Sequence, residues 1–407
     1  MPSPAPVVSA LQPTLAPAPM VPAPEPAPAP ASVVPAPAPS PAPPHVVPAP
    51  APAPKPTGPV VPAVFIFGDS TVDVGTNNYL NKSGAKADMP YNGIDYPGSV
   101  STGRFSNGYN TADCLVMYMG YPESPPAFLH ILNQHGTYLR SIQNFSGVNF
   151  ASGGSGLLHD TGNHLYTEVI PMRDQVQQFK TVHSNLSEAM GGSPDNIISK
   201  SFFLISVGSN DIFEYFALNK TQTLEEFIAT LIDNYRTHLK SLLDLGARKF
   251  GIISVPAIGC CPHQRTFNES GGCREALNPF ALVFFEELQV LLLNLTSEYP
   301  AMAYSLGDTY KMTNALLHIS DPQHQLQLLE AYGLKEIEEA CCGNGTLYAE
   351  SPCRSNSRLC KNRQSYFFWD QYHPTEAASR VLAYILYEGT RDFVVPMNFG
   401  QLAEQDQ

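Results

Sequence analysis

Basic side chains are scarce in this chain: 23 Lys and Arg stand against 36 Asp and Glu in 407 residues, for a net charge of −13. An acidic chain without basic clusters is poorly suited to phosphate backbones or anionic bilayers, which counts against nucleic-acid binding. Long apolar runs are lacking too. No stretch approaches the roughly 18 residues that a bilayer demands, so no membrane span is expected. Neither H-E-x-x-H nor G-x-x-x-x-G-K-[ST] occurs, which removes the metalloprotease and P-loop readings.

Residues 1–57 lack almost everything a core needs. They are almost wholly Pro, Ala and Val with a few Ser, and Glu25 and Lys55 are their only charges. Such a tract is expected to be an extended, largely polyproline II tail, a spacer or a wall-contacting arm in front of a domain at 58–407. The whole net charge therefore falls on that domain.

The first 30 residues also lack the basic and leucine-rich regions of a secretory signal. Other features nevertheless point outside the cell. Asn-x-Ser/Thr sites occur at Asn81, Asn144, Asn185, Asn219, Asn268, Asn294 and Asn344. Cys260, Cys261 and Cys273 form one cluster, and Cys341, Cys342, Cys353 and Cys360 another, both in loop-like sequence. Neither cluster has the paired C-x2-C and histidine spacing of zinc sites, so disulfides of open connectivity are expected, with Cys114 a buried apolar residue. The expectation is a secreted protein whose signal is missing from this start or supplied upstream.

From Pro59 the chain alternates like a doubly wound sheet. Val64 to Phe67 reads as a buried parallel strand and Gly68-Asp69-Ser70 as the turn that leaves it. A polar loop, 73–105, precedes a helix near 107–119. Gly147 to Gly156 reads as a short strand ending in a glycine-rich loop. Helical periodicity covers 171–183, roughly 223–245, 277–297 and 375–388. Further strands are read at 202–207, 249–255 and 302–306. The predicted fold class is α/β, a three-layer α/β/α sandwich around a mostly parallel five-stranded sheet.

Parallel strands put the turns at Ser70, Gly154 and Gly208-Ser209-Asn210-Asp211 on one sheet edge, where open α/β sheets bind ligands. Ser70 is thus placed to serve as a nucleophile, although the G-x-S-x-G elbow is absent there. A serine hydroxyl needs a base, and Asp370-Gln371-Tyr372-His373-Pro374 supplies a candidate pair. Only three positions separate Asp370 from His373, so a tight turn can bring the carboxylate to one imidazole nitrogen and leave the other free. His159, His164, His183 and the remaining histidines share no spacing and are read as surface or packing residues.

Phe67-Gly68-Asp69-Ser70 with Asp73, Gly75 and Asn77-Asn78 opens a series of four blocks. Asn149-Phe150-Ala151-Ser152-Gly153-Gly154, Gly208-Ser209-Asn210-Asp211 and Asp370-Gln371-Tyr372-His373-Pro374 complete it. In this order they resemble the four blocks of the plant GDSL esterase/lipase family among the SGNH hydrolases, over about residues 60–396. Gly103 to Gly108, Ile258 to Pro262 and Cys342-Gly343 add to the likeness. The proline-rich leader is similar to that of the anther-specific proline-rich members. Thr71 departs from the Leu of the family name, with an effect expected on packing more than on chemistry.

The resemblance implies a flavodoxin-like fold, a serine esterase or lipase without metal or organic cofactor, and ester substrates of small molecules or lipids. It implies Ser70 as nucleophile, His373 as base and Asp370 as its orienter. It further implies an oxyanion hole made by the backbone N–H groups of Ser70 and Gly154 and the side-chain amide of Asn210. Asp69, Asp73 and Asp211 are expected to hold loops. An acyltransferase would share every one of these residues, and a catalytically silent extracellular proline-rich protein is the alternative of another class.

Overall fold

A computed structural model describes residues 58–134, 137–140, 145–317 and 329–405. The proline-rich segment 1–57 and the sequon at Asn144 lie outside the described residues. Strand β1 (Val64–Gly68) is followed by helix α1 (Thr111–Tyr118), strand β2 (Gly147–Asn149) and helix α2 (Met172–Met190). Strand β3 (Phe202–Ser206) leads into α3 (Ser209–Ala217) and α4 (Leu224–Asp244), and β4 (Lys249–Ile253) into α5 (Asn278–Glu298). Strand β5 (Ala303–Gly307) and α6 (Thr309–Leu317) precede four short strands, β6 (Glu336–Ala340), β7 (Cys342–Gly343), β8 (Arg358–Leu359) and β9 (Tyr366–Phe368). The chain ends in α7 (Glu376–Glu388), β10 (Val394–Val395) and α8 (Phe399–Glu404).

The main sheet has the order β10-β5-β4-β3-β1-β2. Its five longer-range neighbours, β1 to β5, pair in parallel as the sequence pattern predicts, and β10 adds an antiparallel sixth strand at the edge. Two residues that run into Pro396 carry no readable period, which is why sequence reasoning misses β10. The strands are apolar on both faces because both are covered. Ala63, Phe65 and Phe67 point to the layer of α2, α4 and α5, and Val64 and Ile66 to the layer of α1, α6, α7 and α8. On the first side the Phe65 ring lies 5.0 Å from Phe179 and 5.1 Å from Phe203, a packed aromatic centre that fixes the β1 register.

Helix ends follow local chemistry. Asn110 and Asp113 form a capping box on α1, Thr223 and Glu226 one on α4, and Thr375 caps α7. Helix α3 is not foreseen, because Gly208-Ser209-Asn210-Asp211 carries residues that serve a turn and a helix start equally well.

Helix α5 corrects the expectation about apolar runs. Its 21 residues contain an 18-residue window of mean hydropathy 1.4, long and apolar enough to cross a bilayer by composition alone. The Glu286-Glu287 pair breaks the run to the eye without lowering its average enough. In the fold Phe280, Phe284, Leu288 and Leu292 of this helix are buried in the core and account for one face of its apolarity, while Leu282, Val290 and Leu293 stay exposed.

Candidate active site

The C-terminal edge of the sheet gathers the sequence-predicted residues where β1 and β3 diverge to opposite helix layers, the switch point of this strand order. Gly68 ends β1 at φ +143°, and a Cβ there would lie 1.9 Å from Ser206 O, so only glycine lets the chain turn beside β3. Beyond the end of β2, the buried Gln175 of α2 continues the ladder. Its Oε1 accepts from Gly68 N at 2.8 Å and its Nε2 donates to Gly68 O at 2.8 Å. Gln175 is thus a support of the Ser70 turn that sequence reasoning did not find; its signal is a lone amide on the apolar stripe of α2.

Ser70 Oγ lies 2.7 Å from His373 Nε2. On the other side of the ring, His373 Nδ1 lies 2.8 and 2.9 Å from the two Asp370 oxygens. The loop that carries them is closed on itself: Trp369 N donates to His373 O at 2.7 Å, and Tyr372 N and His373 N both donate to Asp370 Oδ1 at 2.9 Å. Burial works to raise the Asp370 carboxyl, but the neighbouring His373 and these donors outweigh it and hold the group below its ordinary value. The pair therefore keeps a carboxylate against the imidazole. The Phe105 ring lies 4.9 Å from the imidazole and walls it on one side.

Gly154 sits at φ +82° beneath the Tyr166 ring, where a Cβ would come within 2.5 Å of ring carbon. Among the described residues neither Ser70 N–H nor Gly154 N–H has an intramolecular acceptor. Asn210, in the first turn of α3, uses one amide proton on Ser155 O at 2.9 Å, which fixes the side chain and leaves the second proton for another acceptor. All three groups border one cavity of about 390 Å³ that also contains Ser70 and His373.

The other acidic residues of the blocks hold loops, as expected. Asp73 Oδ1 accepts from Gly75 N and Thr76 N at 2.8 Å, while Oδ2 accepts from Gly153 N at 2.9 Å, so one carboxylate joins two motif loops. Asn77 adds a second brace, donating to Gly153 O at 2.8 Å and accepting from Ser152 Oγ at 2.6 Å. Asp211 accepts from Leu157 N, Leu158 N and Thr161 Oγ1. Burial pushes the Asp73 and Asp211 carboxyls up to about 6 despite these donors. Thr71 donates from Oγ1 to Asp69 Oδ1 at 2.8 Å and meets Ser206 Oγ at 2.9 Å, so this position works through hydrogen bonds where packing was expected.

His263 departs from the sequence reading of stray histidines. It lies on the cavity, its Nδ1 is 2.9 Å from Ala349 O, and its backbone N–H donates to Gln371 O at 3.0 Å. Nothing in its spacing could reveal this, since the contact depends on two loops that meet only in the fold.

The cysteines pair as Cys260–Cys273, Cys341–Cys360 and Cys342–Cys353, with Cys114 and Cys261 buried as free thiols. Burial pushes the Cys261 thiol up to about 12, so it stays protonated beside the cavity. Cys260, Cys273 and Glu275 place ligand-type atoms within 4.8 Å of one another, but the two sulfurs are bonded together and offer no thiolate.

A serine, an imidazole and a carboxylate in hydrogen-bonded sequence, facing free N–H donors in one cavity, suit acyl transfer from an ester. Comparison with known proteins agrees. The family described as GDSL-like Lipase/Acylhydrolase matches residues 64–386. From Arabidopsis thaliana, GDSL esterase/lipase At5g55050 is 35% identical over 348 residues, covering 84% of this chain and 90% of its own length. GDSL esterase/lipase 6 from the same plant is 35% identical over 351 residues, covering 84% and 91%. With a match of that extent and the four motif blocks gathered at one sheet edge, the chain belongs to the plant GDSL esterase/lipase family and is a carboxylic ester hydrolase.

Proposed function

We propose that the chain hydrolyses esters through a covalent acyl-enzyme. Ser70 Oγ attacks the carbonyl carbon while His373 Nε2 takes its proton, and Asp370 holds the tautomer and offsets the imidazolium charge. The carbonyl oxygen, now an oxyanion, is received by the N–H groups of Ser70 and Gly154 and the free amide proton of Asn210. Collapse of the tetrahedral adduct breaks the ester C–O bond, and His373 returns its proton to the departing alcohol. Water then enters, gives a proton to His373, and releases the acid while Ser70 recovers its hydrogen.

The observation that carries this reading is the unbroken line from Ser70 Oγ at 2.7 Å through the His373 ring to Asp370 at 2.8 Å. The three disulfides and the exposed sequons at Asn81, Asn219 and Asn294 support a secretory setting for the 58–407 domain, with segment 1–57 as an extension in front of it. The deciding experiment compares p-nitrophenyl butyrate hydrolysis by wild type and Ser70→Ala, with mass spectrometry after a fluorophosphonate. Loss of turnover and of the adduct in the variant is expected. Equal rates would end the esterase mechanism at Ser70 and favour a silent binding protein.

A further inference from the structure

One wall of the active-site cavity is a series of rings that starts at His373 and ends on a cation. Tyr372 lies 6.2 Å from the His373 ring, His263 lies 5.1 Å from Tyr372, and Phe267 lies 5.2 Å from His263. Phe267 is 60% exposed, the one phenylalanine among the large apolar side chains left exposed in the described residues, and it stands on the cavity. The guanidinium of Arg274 stands over that ring at 5.0 Å and over Phe216 at 5.4 Å.

Arg274 is held in place and its charge is unspent. The Cys260–Cys273 disulfide anchors the preceding residue, and Arg274 N donates to Gly259 O at 2.8 Å. The side chain donates from one terminal nitrogen to the neutral Gln264 amide oxygen at 3.1 Å, and among the described residues it forms no ion pair. Arg274 is the arginine that lines the cavity among the described residues, in a chain of net charge −13. The cavity's Glu214 carboxylate is buried and accepts from Gly162 N at 2.7 Å.

We infer that Arg274, with Phe267, His263 and Tyr372, forms a subsite for the part of an ester substrate that carries a flat apolar group ending in a carboxylate. The rings take the apolar portion and the pre-fixed guanidinium takes the anion in charge-assisted hydrogen bonds. A single guanidinium matches a monoanionic carboxylate better than a phosphate dianion, which basic clusters bind and this chain lacks. This subsite rests on the esterase reading for its purpose, but its ligand preference can be measured without turnover.

The test is calorimetric binding of 3-phenylpropanoate and of its neutral analogue 3-phenylpropan-1-ol to Ser70→Ala. The carboxylate is expected to bind about 10-fold more tightly than the alcohol, as one charge-assisted pair allows. In Ser70→Ala/Arg274→Gln that ratio falls to about 1, and in Ser70→Ala/Arg274→Lys it lies between, since the charge stays and the planar fork is lost. A ratio near 1 before Arg274 is changed, or one that survives Arg274→Gln, overturns the subsite. So does a ratio that is lost with Lys86→Gln, the other Lys or Arg on the cavity among the described residues. If the ratio behaves as expected while wild type shows no Ser70-dependent ester hydrolysis, the esterase reading fails and the anion subsite stands.

Discussion

Trp369 donates its indole N–H to Asn92 Oδ1 at 2.8 Å, both residues are buried, and Asp370 is the next residue in the chain. The bond ties the loop of Asp370 and His373 to the polar loop that follows β1, across 277 positions of sequence. Asn92→Leu leaves the indole donor buried without a partner, at a cost of about 1–3 kcal/mol. Urea melts should show that loss, and kcat should fall with it because the loop that carries Asp370 and His373 loses an anchor. Lowered stability with an unaltered kcat would separate the tether from the chemistry.

Asp370→Asn keeps the shape of the loop but changes what the His373 ring can hydrogen-bond to. An amide can present its N–H to Nδ1 and favour the wrong tautomer, so kcat is expected to drop on the order of 10⁴-fold. Steady-state hydrolysis of p-nitrophenyl butyrate measures it, and a drop under tenfold would mean that Asp370 does not orient the base.

Asn210→Ala removes the side-chain donor and also frees Ser155 O. A fall in kcat of about 100- to 1,000-fold is expected, with a small change in KM, because the oxyanion exists only in the transition state. A rise in KM with kcat intact would assign Asn210 to ground-state binding.

Asp73 and Asp211 each make stability respond to pH. Their carboxyls go from an ordinary 3.8 to about 6 in the fold through burial, so between those values the folded chain holds protons that the unfolded chain has released. The contribution of each group to the unfolding free energy therefore falls as pH rises from about 4 to about 6. Asp73→Asn abolishes that titration and adds a constant penalty for lost acceptors. In thermal melts, the Tm of the variant relative to wild type should climb across this pH window. A relative Tm that declines would mean that the three N–H donors dominate over burial.

The second cysteine cluster is tied directly to the strand before the Asp370 loop. Cys341 N donates to Phe368 O at 3.0 Å and Cys342 N to Trp369 O at 2.7 Å, beside the Cys341–Cys360 and Cys342–Cys353 bonds. Replacing Cys341 and Cys360 together by Ser should cost about 2–4 kcal/mol and lower activity at temperatures where the wild type is intact. Thermal inactivation with and without reductant checks this, and identical half-lives would deny the bonds that role.

Ser70, Asp370, His373, Gly154 and Asn210 are legible in the sequence because each stands in a motif whose residue types are dictated by chemistry or backbone conformation. The hydroxyl, imidazole and carboxylate have few substitutes, and the Gly68 and Gly154 positions tolerate no Cβ. The parallel strands are equally legible, since burial on both faces makes them continuous apolar runs.

Gln175, His263 and Arg274 acquire their roles only in three dimensions. Each is an ordinary polar side chain in its own segment, and a contact from a distant segment places it: Gly68 for Gln175, Ala349 for His263 and the Phe216 ring for Arg274. The cavity wall, the cysteine pairing and the position of β10 were likewise decided by how loops meet over the sheet. The sequence by itself therefore determined the groups proposed to react and the layers that carry them, because these follow from residue type and local period. The tertiary structure alone decided what surrounds those groups, because contacts between distant loops are set by packing of the whole domain and leave no periodic trace in any one segment.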